Sequence, residues 1–185
     1  MKARMMGLAL GCFLAGAAHA EELRIALTFA GGHELARGDF GRPINLMAAA
    51  LSVTPAQFRQ AFSGVTPARG RPPTGDEARR NKEALMSVLA PLGVTNERMD
   101  EVANYYRFRP DRGESWPARP AQGYALVDGD AVKQLVVTDP GAGYNTPPRV
   151  VLDGLPGLAL EAQLAYDRDL IRNGGVTAVI VAPRR

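Results

Sequence analysis

Reactive side chains are few, and their spacing is the first thing to weigh. His33 stands beside Glu34, with Asp39 six residues further on. A histidine near carboxylates can serve as a general base, or as part of a Ser–His–Asp arrangement. It can also begin a zinc site, which would need His33, Glu34 or Asp39, and a distant third ligand. No Gly-x-Ser-x-Gly elbow and no His-Glu-x-x-His pair accompanies it. The expectation is therefore a loop histidine without a special role. Catalytic use of His33, Glu34 and Asp39 by a hydrolase or metal-dependent enzyme is the alternative. A second cluster, Asn104 to Arg109, holds two tyrosines, a phenylalanine and two arginines, and Trp116, the single tryptophan, follows shortly after. Tyr105, Tyr106, Arg107 and Trp116 are the candidate ligand-binding residues, since such groups stack on sugars or anchor protein contacts. The competing reading is a helix end whose aromatics pack inward and whose arginines face the negative end of the helix dipole. Asp128, Asp130 and Asp139 are close in sequence, but their spacing fits no calcium loop. No metal site and no cofactor is expected.

The compartment narrows the chemistry further. Lys2 and Arg4 precede an apolar run from Met5 to Ala18, and Ala18-His19-Ala20 is a small-x-small cleavage site. Residues 1–20 thus read as a secretory signal peptide. The run is too short for a permanent membrane span. A lesser reading is a lipoprotein acylated at Cys12. Cleavage after Ala20 would remove that cysteine, the only one, and leave neither disulfide nor thiol nucleophile. It would also remove two of the 22 basic residues, leaving 20 against 19 acidic ones. A balance near +1 gives no general attraction to nucleic acid. The expected location is the periplasm or the extracellular space.

The elements that must position these residues follow from periodicity and punctuation. Leu23 to Ala30 alternates as a strand and ends at Gly31-Gly32. Ile44, Leu46, Met47, Ala50 and Leu51 make one helix face. Thr54-Pro55 caps the next helix, with Phe58, Ala61 and Phe62 as its apolar stripe. Thr74 to Glu77 has the form of a capping box, opening a helix to about Ala90. Thr95 caps a fourth helix that presents Met99, Val102, Ala103 and Tyr106. Beyond the proline-rich 111–120 linker, 121–127 and 131–138 are strands joined by Asp128-Gly129-Asp130. Gly141 to Pro148 is a fixed turn. Shorter strands follow near 149–152, 158–166 and 176–182.

Two repetitions are visible. Leu51-Ser52-Val53-Thr54 returns 41 residues later as Leu92-Gly93-Val94-Thr95. The expectation is two helix–turn–helix units packed on each other. Gln57, Arg59 and Gln60 mimic a DNA-recognition helix, but Glu97, Asp100 and Glu101 in the second unit would repel phosphate. Val132 to Val137 also aligns with Val176 to Val181, an offset of 44. The predicted fold class is α+β: an N-terminal strand, paired helix–turn–helix units, then a small antiparallel β unit. The expected division is 21–110 mainly helical, 111–120 linker, 121–185 sheet.

The segments FRQAFSGVTPA (58–68), RRNKEALMSVLAPLGVTNERMDEV (79–102) and NYYRF (104–108) resemble a family of exported bacterial proteins of unknown function. GAGYNTPP (141–148), behind its hairpin, resembles a β repeat found in many surface and secreted proteins. Neither resemblance supplies catalytic residues. The leading expectation, from the residues themselves, is an exported bacterial protein of unknown role that binds or builds, with a glycan or another exported protein as partner.

Overall fold

The computed structural model describes residues 23–183, without 40, 67, 69–70, 109–112, 114 and 156. Residues 1–22, which include Cys12 and the leader expected from the sequence, and three of the ten residues of the expected 111–120 linker lie outside the described residues. Among the described residues, four α-helices, α1 (Ile44–Ala50), α2 (Pro55–Ser63), α3 (Gly75–Leu89) and α4 (Asn96–Tyr105), stand beside a six-stranded antiparallel sheet. The fold class is α+β.

The sheet runs in the order β3-β2-β1-β4-β5-β6. Its strands are β1 (Leu23–Ala30), β2 (Gln122–Asp128), β3 (Ala131–Asp139), β4 (Arg149–Leu152), β5 (Leu160–Ala165) and β6 (Gly175–Val181). β1 is central, although the chain order sets it beside the helices. Leu23 to Ala26 pair with β2, and Leu27 to Ala30 pair with β4. One strand thus serves two ladders in succession. The end strands β3 and β6 lie against each other with no ladder between them among the described residues. The curled sheet encloses its own core of Leu27, Ala125, Val127, Val150, Leu152, Val176 and Val179. Gly129, at φ 57°, takes the first central position of the β2–β3 turn, where a positive φ suits the strand twist.

The helices enclose a second core, in which Leu46, Phe58, Leu89 and Val102 are fully buried. Thr54 and Thr74 each accept a hydrogen bond from the backbone N–H three residues on, and Gln57 and Glu77 reciprocate. These are capping boxes, and they start α2 and α3 where the sequence places them. The repeated Leu-x-Val-Thr stretch has one backbone conformation in both copies. Ser52 (φ 58°) and Gly93 (φ 87°) are both left-handed. Val53 N–H donates to Ala48 O, and Val94 N–H to Leu89 O; Ser52 and Gly93 donate to Ala49 O and Ala90 O. Each is a Schellman closure followed at once by a threonine cap. Phe58 and Met99, then Ala61 and Val102, occupy equivalent buried positions 41 residues apart. No helix among the described residues is long and apolar enough to cross a membrane.

Candidate functional site

The turn at 140–148 is where helices and sheet meet. Gly143 N–H donates to Asn173 O, and Tyr144 N–H to Gly174 O. The Trp116 indole N–H reaches Gly143 O at 2.9 Å, and Ala121 N–H donates to the Tyr144 hydroxyl at 2.9 Å. A side chain on Gly174 would meet Tyr144 O at 2.5 Å and Leu46 Cδ2 at 2.6 Å, so only glycine fits between turn and helix. Asn173, fully buried, closes the seam. Its amide donates to Leu46 O (2.7 Å) and to the Tyr106 hydroxyl (2.9 Å), while its carbonyl accepts from Asp167 N–H (3.0 Å). Asn145 donates to Glu34 O and is held twice by Asn45. Every buried polar side-chain atom among the described residues has a partner, as buried polar groups require.

This seam takes up most of the residues singled out for chemistry. Trp116 is 4% exposed and packs in the helical core, with its ring against Phe108 and His33. Tyr106 is 3% exposed, and burial pushes its phenol well above the ordinary tyrosine range. Tyr105 is half-buried, edge-on to Tyr106, and only Arg107 is exposed. The quartet Tyr105, Tyr106, Arg107 and Trp116 is therefore not one exposed aromatic surface. The physical reason is that two separately cored units need large rings to fill their junction. The indole N–H and the phenol both find partners there.

His33, Glu34 and Asp39 are not gathered into one cluster. His33 is exposed, with its ring 5.3 Å from that of Tyr144. The Glu34 carboxylate accepts from Gly32 N–H and, at 2.6 Å, from the Thr146 hydroxyl. These bonds, Thr146 first, hold its pKa below the usual value. Asp39, 5% exposed, receives both Nε (2.8 Å) and Nη2 (3.1 Å) of Arg59. That bidentate pair ties the loop before α1 to α2. Two of the residues on the would-be recognition helix are thus engaged, Gln57 in the cap and Arg59 on Asp39. Asp128 pairs with Lys133, and Asp139 with Arg119 and Gly141 N–H. Among the described residues, no group of three or more His, Cys, Asp or Glu is placed to hold a metal.

An open cleft in the helical unit is the feature that composition and motif do not reveal. It has a volume of about 310 Å³. Met47, Phe62, Leu85, Met99, Tyr106 and Phe108 line it, with Ala103 on one wall and Arg42 and Arg107 beside them. Arg42 sits 4.0 Å above the Phe62 ring, and burial lowers its pKa. The only signal in the sequence is the 41-residue offset. Phe62 of the first unit corresponds to Ala103 of the second, and the missing ring leaves space. A larger depression of about 680 Å³ lies at the start of α3, but its charged lining is partly self-paired, Arg71 to Glu77 at 2.7 Å. No family model, no curated protein and no solved structure matches the chain.

Proposed function

We propose that the chain is an exported bacterial module that works by binding and not by catalysis, and that its ligand is another exported protein. One observation carries this reading. The carboxylates beside the mature chain's histidine serve as scaffold, Glu34 on Thr146 and Asp39 on Arg59. A histidine base of the Ser–His–Asp kind is oriented by a carboxylate bonded to its ring, and both nearby carboxylates are bonded to other groups. A protein ligand suits the molecule better than a glycan. Trp116 is interior and Tyr106 is 3% exposed, its hydroxyl bonded to Asn173, while the open cleft is lined mainly by Met47, Met99, Leu85, Phe62 and Phe108.

Two experiments test the proposal together. Residues 1–25 fused to a phosphatase active only outside the cytoplasm report export. A photo-crosslinking residue placed in turn at exposed positions reports binding in the living cell. Adducts confined to one contiguous face support the module. Hydrolysis of an ester, peptide or glycoside panel that is lost in His33→Ala overturns it.

A further inference from the structure

We infer that the cleft between the two Leu-x-Val-Thr units receives an apolar side chain from an acidic segment of a partner protein. The inference rests on the binding-module reading and adds a place and a chemistry to it. Four observations lead there. The floor is apolar, made by Met47, Met99, Phe62 and Leu85 from all four helices. Thioether side chains adapt to varied shapes, which suits a surface that takes up side chains. Its size, about 310 Å³, is at the lower end for ligand pockets and holds one or two large side chains, not a whole helix.

The third observation is the asymmetry of the repeat. Phe62 and Ala103 are the same position in the two units, and both face the cleft. Where the first unit fills its side with a ring, the second presents a methyl group, on a residue that is exposed. The opening is therefore built into the sequence of the second unit and is not a packing remnant of both. The fourth is charge. It is carried by Arg107, whose guanidinium stands among the cleft's described lining residues. Arg107 is exposed and bonds the neutral Asn104 side chain. Guanidinium beside an apolar floor favours a carboxylate, which it can hold through two parallel bonds. An apolar anchor flanked by Asp or Glu satisfies floor and rim at once, with the anchor as the central contact.

The test uses the purified mature chain and two fluorescein-labelled peptide pools. In one pool, two positions of Leu, Phe or Met are flanked by Asp and Glu. In the other, Lys replaces every acidic residue. Anisotropy should show the acidic pool bound at least about tenfold more tightly. Ala103→Phe, which closes the opening, and Arg107→Glu, which reverses the rim, should each weaken that binding about tenfold. Both positions are exposed, so circular dichroism should be unchanged; if Ala103→Phe unfolds, Arg107→Glu decides. Equal binding of the pools, no binding of either, or acidic-pool binding untouched by the variants overturns the inference. The module reading survives those results if crosslinking maps a partner to another face, and falls separately if it maps none.

Discussion

Asn173→Ala removes the most connected side chain of the seam. Three hydrogen bonds vanish: two donated, to Leu46 O and the Tyr106 hydroxyl, and one accepted, from Asp167 N–H. Leu46 and Tyr106 are buried, so neither freed oxygen gains ready access to water. A buried polar group left unpaired costs about 1–3 kcal/mol, whereas the half-buried Asp167 N–H recovers part of its loss from solvent. The expected destabilisation is about 3–4 kcal/mol, a large share of the ~5–15 kcal/mol that holds a domain. At ~2–4 °C per kcal/mol, the melting temperature should fall by roughly 10 °C. Tyr106→Phe removes only the hydroxyl and leaves the bond to Leu46, so it should cost about 1 kcal/mol. The double variant should then cost less than the two single losses added, because both remove the same bond. Urea unfolding followed by circular dichroism measures all three. An Asn173→Ala loss below about 1 kcal/mol, or strict additivity with Tyr106→Phe, refutes the reasoning.

Two further outcomes are expected. Gly93 has open space around its α-carbon, so Gly93→Ala should cost about 1 kcal/mol through its left-handed backbone alone, while Ser52→Gly, at the same turn of the other unit, should be neutral or stabilising; chemical denaturation of both variants checks the pair, and equal signs would count against the shared turn. Glu77 should titrate near 2 instead of 4.5, because the Arg71 guanidinium and the N-cap Thr74 N–H bond its charged form; its contribution to stability is present above the ordinary value and lost as pH falls toward about 2, and carboxyl chemical shifts should show the midpoint rising in Arg71→Ala.

Local structure was legible in the sequence because local physics decides it. Thr54-Pro55 and Thr74 to Glu77 carry their caps within four residues, and both form as read. The Leu-x-Val-Thr repetition fixed a turn type as well as a cap, since Ser52 and Gly93 share one backbone state. The strand at Leu23 to Ala30 was equally plain, but its place was not. Alternation shows that a strand has a face, not which strands flank it, and the β2 and β4 neighbours lie some hundred residues away. The candidate site suffered most from this. An aromatic cluster reads alike as a surface or a junction, and Tyr106 and Trp116 are settled only by Asn173 and Gly143, distant in the chain. Ala103 was read as part of a buried face; it lies instead on the wall of the cleft, because nothing opposite supplies a second Phe62.

Helices and sheet hold one another through a shared polar seam, and that is the claim on which the scaffold roles of Glu34, Asn145, Asn173 and Trp116 depend. Equilibrium unfolding with two probes tests it most directly. Trp116 fluorescence reports the junction, and far-ultraviolet circular dichroism reports the helices. A single transition with coincident midpoints is expected, since Trp116 packs in one core and bonds the turn of the other. Two separated transitions, or a Trp116 emission already solvent-like in the native protein, would contradict it.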